Sequence, residues 1–417
     1  MSPTQRFSWQ AVLCWLTVLL EGYDLVALGA SSLALRQSDL QISPARLTVI
    51  ATVSLIGVMI GAAFVTPMAD HLGRRTVLIA SVATFSLFTI VLPLAPNFEV
   101  FSVLRVLAGL GLGACMPTSL AAMSEYRPAH RRARANTTTM TGYHCGAVAA
   151  SLLALAVSGA WQALFIVGGA AGLVVAGIMW FKLAETVDLH TPAEQVEKVT
   201  VLDLLRPRFL RTSIAVWVST FMGLLLVYGL NTWLPSLMKT AGYTVSTSIT
   251  LLFVLNAGGI VGMLLAGYVG DTRGISRTVL TWFGVGAALL ALLSIRIHSS
   301  VLLDAVIFFT GVFVFSAQVL VYAYVAQSYP GRIRGSALGI TSGIGRLGAI
   351  AGPLVTGLLV SAGAAYPWGF YFFAAAALVG LLVMSAAPRV SRVAAKDSAA
   401  EDAVVIGDIS GQRRAER

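Results

Sequence analysis

Two carboxylates stand in a mostly apolar stretch near the start of the chain. Glu21 and Asp24 interrupt the run from residue 9 to residue 33. They are three residues apart, so a helix would place them on one face. An ionisable side chain in a segment apolar enough to cross a membrane is costly and usually serves a function. Proton binding and release is therefore the first chemistry that the sequence suggests.

Arg105 lies in another apolar stretch and is the expected partner of Asp24. Asp24 lies about eight residues before the end of the first predicted span, and Arg105 about six residues after the start of the fourth; at about 1.5 Å of rise per residue their depths match. Burial favours a neutral carboxylate, whereas a nearby cation favours an ionised one. A carboxylate balanced between the two effects can couple transport to protons, so Glu21, Asp24 and Arg105 are the predicted coupling group. The alternative is that one carboxylate only fixes helix packing through a buried ion pair.

Arg346 lies near the middle of the eleventh predicted span, where a guanidinium needs an anion. The second half of the chain offers no carboxylate at that depth. A guanidinium can hold a carboxylate through two hydrogen bonds. We therefore predict that Arg346 binds the carboxylate of a substrate. The alternative is that it caps backbone carbonyls at a glycine-rich bend.

Further polar side chains in the spans are candidates for a substrate pocket. Aromatic rings stack on a substrate ring, while amides and hydroxyls orient its polar groups. The alternative for each side chain alone is an interhelical hydrogen bond, which is the more frequent role of such residues. A single histidine in a span is likewise more often a neutral ring held by a hydrogen bond. The candidates are Tyr228, Asn231, Asn256, Gln318, Tyr322 and His144.

The composition predicts an all-α integral membrane protein. The 417 residues are 57% hydrophobic and 11% charged, whereas soluble domains carry about 25% charged residues. Apolar runs near the 20 or so residues that cross a bilayer recur along the chain. The twelve predicted spans are 9–32, 47–69, 76–95, 99–123, 136–158, 161–183, 211–235, 246–270, 277–297, 300–326, 336–361 and 366–387.

The basic residues predict the orientation of these spans. Of the 28 Lys and Arg residues, 22 fall on the side of the termini and four on the other side, and Arg105 and Arg346 lie within spans. This asymmetry predicts that both termini are cytoplasmic. It also explains the net charge of +10 without a nucleic-acid partner. The predicted units are a first half at 1–183, a cytoplasmic linker at 184–210, a second half at 211–387 and a disordered tail at 388–417.

The two halves repeat each other. Asp70 and Asp271 follow the second and eighth spans and are 201 residues apart; Tyr126 and Tyr329 follow the fourth and tenth and are 203 apart. Two landmarks with nearly the same offset predict two six-span halves. Equivalent spans of the two halves cross the membrane in the same direction, and a pseudo-two-fold axis relates the halves. Major facilitator transporters are built in this way, with the substrate bound near the midplane between the halves.

Short motifs make this resemblance more specific. DHLGRR at 70–75 resembles the major facilitator signature between the second and third spans, with Thr66 at the usual leading glycine and His71 at the usual basic residue. EGYD at 21–24, RVLAGLGLGACMP at 105–117, WLP at 233–235 and GRLGAIAGP at 345–353 resemble the aromatic acid:proton symporter family. Members of that family often have Asp where Glu21 stands. The form with glutamate is similar to members that carry 3-(3-hydroxyphenyl)propionate.

The resemblance implies proton-coupled import of an aromatic carboxylate of the 3-(3-hydroxyphenyl)propionate, benzoate or hydroxybenzoate type across a bacterial inner membrane. We expect a monomer whose partners are protons, the carboxylate and the bilayer. It also implies a charge latch at the cytoplasmic gate, formed by Asp70, Arg74, Arg75, Glu125, Arg131, Asp271 and Arg334. A solvated ion pair is the alternative for Glu125.

Two other functions fit the same sequence: a proton-driven exporter of drugs or metabolites, and a transporter-like sensor that binds a ligand without moving it. We find no nucleophile–base pairing, metal-ligand spacing or nucleotide loop, so we expect neither an enzyme nor a cofactor. Cys14, Cys115 and Cys145 are predicted to be packing residues inside spans.

Overall fold

The chain is helical throughout most of the part that the computed structural model describes, which is residues 3–38, 40, 42–126, 132–157, 159–186, 204–329 and 331–388. A π-helical turn, Gly61–Val65, and the segment Thr66–Leu72 continue the second helix. The long helices of these residues are α1 (Pro3–Leu35), α2 (Pro44–Ile60), α3 (Arg74–Val91), α4 (Phe98–Tyr126), α5 (Arg132–Ala156), α6 (Trp161–Lys182), α7 (Leu210–Thr240), α8 (Val245–Arg273), α9 (Ile275–Leu292), α10 (Ser300–Ser328), α11 (Gly331–Ser361) and α12 (Trp368–Ser385).

Eleven of these helices are long and apolar enough to cross a membrane. The twelfth, α5, is 25 residues long but begins with polar residues. Backbone groups in lipid must be satisfied within the segment, which is why each apolar run forms a helix. The predicted all-α membrane fold is therefore confirmed. The ninth helix ends at Leu292, earlier than predicted. Beyond it, Ile297 hydrogen-bonds through both its N–H and its C=O to the hydroxyl of Tyr243.

The internal repeat is visible in the backbone. Gly73 lies between α2 and α3 with φ of 90°, and Gly274 lies between α8 and α9 with φ of 93°. Glycine adopts this left-handed region without the steric cost that a side chain imposes. The two glycines are 201 residues apart, the same offset as Asp70 and Asp271.

Equivalent helix pairs pack in the same way in the two halves. α1 packs on α5 as α7 packs on α11, and α2 packs on α4 as α8 packs on α10. A Cβ on Gly22 would clash with the carbonyl oxygen of Tyr143, and a Cβ on Gly348 with that of Phe221. Small residues at these crossings let the backbones approach closely, which is how helices associate in lipid.

The two halves contact each other mainly toward one end of their helices. We call the face at which α1 begins the terminal face, and the opposite face the far face. α1 contacts α7, α2 contacts α11 and α5 contacts α8. Near the far face, Gly29 lies against the backbone of Asn231, and the hydroxyls of Ser32 and Ser236 are 3.4 Å apart.

The buried apolar clusters show the same division. One cluster on the far side contains residues of both halves, such as Ile50 and Leu234. Toward the terminal face, one cluster contains residues of the first half only, and another contains residues of the second half together with Leu204 of the linker. The described parts of the two halves therefore share a core on the far side and have separate cores on the terminal side.

Candidate functional site

Asp24 and Arg105 form a buried ion pair. Nη1 of Arg105 donates to both carboxylate oxygens of Asp24, at 3.0 and 2.8 Å, and the two side chains are 1% and 2% exposed. The hydroxyl of Thr89 on α3 donates to the same carboxylate at 3.0 Å. The contact predicted from helix depth is therefore present. Asp24, Thr89 and Arg105 belong to three different helices, so their hydrogen bonds connect α1, α3 and α4.

Glu21 lies almost one turn earlier on α1 but in different surroundings. It is 5% exposed, and its Oε2 has no hydrogen-bond partner among the described residues. Its surroundings are the guanidinium of Arg346, the backbone of Met116 and the carboxylate of Asp24. A buried polar atom without a partner is costly, and a proton or a hydrogen-bond donor at this oxygen would remove that cost.

Arg346 faces Glu21 from the other half of the molecule. Its Nη1 donates to the hydroxyl of Tyr228 at 3.2 Å, and its electrostatic neighbours include Glu21, Tyr143 and Tyr322. The sequence placed no acid at the depth of Arg346 within the second half, and the structure supplies one from the first half. We call Glu21, Tyr143, Tyr228, Tyr322 and Arg346 the Arg346 cluster.

A cavity of about 190 Å³ lies beside the Arg346 cluster, between the two halves. Ligand sites for drug-sized molecules occupy about 300–1,000 Å³, so this cavity suits a small ligand. Its walls come from α4, α5, α7, α8, α10 and α11. The lining residues are Met116, Pro117, Leu120, Met140, Tyr143, His144, Leu224, Val227, Tyr228, Met263, Phe315, Gln318, Val319, Tyr322, Ser342 and Arg346.

His144 joins this cavity to the interface between α5 and α8. Its Nδ1 is 3.0 Å from the side-chain oxygen of Asn256, and Nδ2 of Asn256 donates to Oδ1 of Asn231 at 2.9 Å. The ring also stacks on Phe315, with centroids 4.9 Å apart. A chain of hydrogen bonds thus runs from the first half to two helices of the second.

The predicted pocket residues divide into two groups. Tyr228, Gln318, Tyr322, His144 and Arg346 line the cavity. Asn231 and Asn256 are fully buried and are not among the residues that line the cavity. Asn256 hydrogen-bonds to His144, which does line it, and Asn231 hydrogen-bonds to Asn256. The roles of both groups in substrate binding remain predictions.

The predicted gate residues are described only in part. Arg131 lies outside the described residues, and the side chains of Asp70, Glu125, Asp271 and Arg334 do as well; so does the predicted tail beyond Pro388. Arg74 and Arg75 begin α3, and their backbone N–H groups donate to the carboxylate of Glu185 at 2.8 and 3.2 Å. A carboxylate at a helix N-terminus satisfies free N–H groups and complements the helix dipole.

Four residues of these contacts were missed by the sequence reasoning. Tyr143 adjoins His144 in the chain, and that position was the only signal for it. Thr89 and Phe315 are ordinary residues of apolar spans, and only their contacts mark them. Glu185 belongs to the predicted linker, and nothing in the sequence shows that its carboxylate reaches the start of α3.

The fold and the polar site between its halves define a membrane transporter. The chain matches the family model described as Major Facilitator Superfamily over residues 14–300 and 276–414. It belongs to this family, and the family and the relatives below are membrane transporters, not enzymes. The D-xylose-proton symporter has the same fold, with a TM-score of 0.73 at 17% identity over 91% of this chain and 98% of that one.

The sequence relatives are transporters of aromatic acids. The chain is 34% identical to the gentisate transporter of Corynebacterium glutamicum, over 91% of this chain and 87% of that protein. It is 30% identical to the benzoate transport protein of Acinetobacter baylyi, over 92% and 90%. It is 31% identical to the 3-(3-hydroxy-phenyl)propionate transporter of Escherichia coli, over 87% and 89%. These likenesses confirm the family resemblance seen in the motifs.

Proposed function

We propose that the chain is a proton-coupled symporter that imports a small aromatic carboxylate by alternating access. The membrane is a bacterial inner membrane, and both termini are cytoplasmic. One observation carries the proposal: Glu21, whose Oε2 has no hydrogen-bond partner among the described residues, is an electrostatic neighbour of Arg346 from the opposite half, and Arg346 lines a cavity between the halves. The aromatic character of the substrate rests on the relatives.

The coupling follows from charge balance at the Arg346 cluster. A buried guanidinium without a counter-anion is strongly unfavourable. Glu21 can supply the negative charge when it is ionised, and a bound carboxylate can supply it when Glu21 is protonated. Proton and substrate then enter together and leave together, because either alone would leave an uncompensated charge. Asp24 is a second candidate coupling group, whose charge Arg105 already balances.

The cavity also suits the ring of an aromatic acid. Tyr228, Tyr322 and Phe315 line it together with several methionines, and aromatic and thioether groups make favourable contacts with a flat ring. Gentisate, benzoate, hydroxybenzoates and 3-(3-hydroxyphenyl)propionate are the acids to test.

The arrangement of the halves corresponds to one end of the transport cycle. The shared core on the far side closes the cavity there, so with cytoplasmic termini this is the inward-facing arrangement. Units 1–183 and 211–387 then rock about the site, and 184–210 links them. In the alternative state the charged residues at the terminal face, such as Arg74, Arg75 and Arg334, form the closed gate.

Uptake by purified protein in proteoliposomes tests this function. An inward proton gradient should drive accumulation of at least one labelled acid of the panel, and a protonophore should abolish it. Accumulation driven by the opposite gradient would instead indicate an exporter. Saturable binding without counterflow exchange would indicate a sensor, and either result would overturn the proposal.

A further inference from the structure

The orientation of the two asparagines is fixed by backbone carbonyls. Nδ2 of Asn231 donates to the carbonyl of Val227 at 2.9 Å, and Nδ2 of Asn256 donates to the carbonyl of Leu252 at 3.0 Å. A carbonyl only accepts, so the amide nitrogens must point to these oxygens. The amide oxygen of Asn256 therefore faces His144, and Nδ1 of His144 must donate to it.

This arrangement leaves one nitrogen of His144 for the cavity. A neutral imidazole that carries its proton on Nδ1 has an acceptor lone pair on Nε2. The ring is a wall of the cavity, and Asn256 is its only hydrogen-bonding partner within the described part of the chain. Stacking on Phe315 holds the plane of the ring. His144 thus presents a fixed hydrogen-bond acceptor in a pocket that otherwise carries a cation.

Gln318 is a second polar side chain in the wall of the cavity. It is 4% exposed, it lines the cavity, and neither its Oε1 nor its Nε2 has a hydrogen-bond partner in the described residues. Phe315, Gln318 and Tyr322 lie on one face of α10 and extend about 10 Å along it. Phe315 adjoins His144 and Tyr322 adjoins Arg346, so Gln318 lies between the two ends of this face.

We propose that Nε2 of His144 and the amide of Gln318 recognise a ring hydroxyl of the substrate, while Arg346 holds its carboxylate. The transported acids would then be hydroxylated ones, preferred over their unsubstituted parents. A hydroxyl can donate to Nε2 and accept from the amide at once. An acid without the hydroxyl leaves both groups unpaired, which is the strongest basis for discrimination in a pocket. This inference rests on the proposed function, because it names the substrate of that same site.

The test compares labelled 4-hydroxybenzoate, 3-hydroxybenzoate and benzoate in the same proteoliposomes. The readout is the ratio of hydroxybenzoate to benzoate uptake, which a general loss of activity does not change. Wild type should prefer a hydroxylated acid by about tenfold or more. His144→Phe retains an aromatic ring against Phe315 but lacks both nitrogens, and it should lose most of this preference. Gln318→Met should lower the preference independently, and Gly177→Ala, on α6 away from the cavity, should not.

The outcomes separate this inference from the function on which it rests. If wild type accumulates no acid of the full panel, including gentisate and 3-(3-hydroxyphenyl)propionate, the proposed function fails. If wild type accumulates them but His144→Phe and Gln318→Met both keep the wild-type ratio, only the recognition of the hydroxyl is wrong. If His144→Phe does not fold, the ratio in Gln318→Met still decides.

Discussion

Nη1 of Arg105 lies 3.0 and 2.8 Å from the two oxygens of Asp24, so one guanidinium nitrogen holds the whole carboxylate. Three residues earlier on the same helix, Oε2 of Glu21 is buried with no hydrogen bond to a described residue. Two carboxylates that look equivalent in the sequence thus have opposite environments. The charge of Asp24 is balanced by Arg105 of the same half, whereas the neighbouring cation of Glu21 is Arg346 of the other half. Substitutions of Asp24 and of Glu21 should therefore have different effects.

Asp24→Asn should lower the amount of folded protein and abolish gradient-driven uptake. The substitution leaves Arg105 buried without a counter-charge, which costs about 3–5 kcal/mol. Fluorescence-detected size exclusion measures folding, and proteoliposome uptake measures transport. Asp24→Asn with Arg105→Gln removes both charges and should restore folding. Wild-type uptake in Asp24→Asn would remove this residue from the mechanism.

Glu21→Gln should uncouple substrate from protons. The neutral amide resembles the protonated acid, so Arg346 remains available to the substrate carboxylate. Counterflow exchange should persist, while accumulation driven by a proton gradient should fall to the level of equilibration. Both assays use the same vesicles, so a folding defect would lower both. Gradient-driven accumulation at the wild-type level would contradict the role of Glu21.

Arg346→Lys should weaken substrate binding by about tenfold to a hundredfold. An ammonium keeps the charge, but it cannot hold a carboxylate through two parallel hydrogen bonds. Tyr228→Phe removes the hydroxyl that accepts from Arg346 and should have a smaller effect, because the guanidinium and its two hydrogen bonds to the substrate carboxylate remain. Equilibrium binding of the acid identified by the uptake panel measures both. Equal affinity in Arg346→Lys and wild type would show that the substrate carboxylate does not bind to Arg346.

A disulfide between positions 32 and 236 should lock the transporter. The serine hydroxyls there are 3.4 Å apart across the two halves, so cysteines at both positions are close enough to bond. The native cysteines at 14, 115 and 145 are replaced first. Oxidation of Ser32→Cys/Ser236→Cys should stop uptake, and a reductant should restore it, because alternating access requires these helices to separate. Undiminished uptake by the fully oxidised protein would show that the far side does not open there.

Gly22→Ala should destabilise the first half. Its Cβ would clash with the backbone of Tyr143, and overpacking of this kind costs about 1–3 kcal/mol. The expected result is a lower melting temperature in detergent. Gly177 on α6 is the matched control, since a Cβ there meets no heavy atom within 4 Å. Gly177→Ala should be neutral or slightly stabilising, and an equal fall in both variants would refute the packing argument.

The sequence predicted the fold and one contact of the site. Twelve apolar runs, a repeat offset near 201 residues and the family motifs were enough for the architecture, because lipid forces each apolar run into a helix. The contact of Asp24 with Arg105 was also predictable. In a membrane the position along a helix is a depth, so two residues of neighbouring helices can be matched by counting from the helix ends.

The tertiary structure decided which groups of the two halves meet. The position of Arg346 in the sequence showed a cation without an acid, and only the packing of α1 against α7 and of α2 against α11 brings Glu21 to it. The same holds for the hydrogen bonds from His144 through Asn256 to Asn231, which assign one nitrogen of the ring to the cavity. Depth gives one coordinate of a residue in a membrane. The rotation of each helix and the docking of one half on the other supply the rest, and these depend on contacts far apart in the chain.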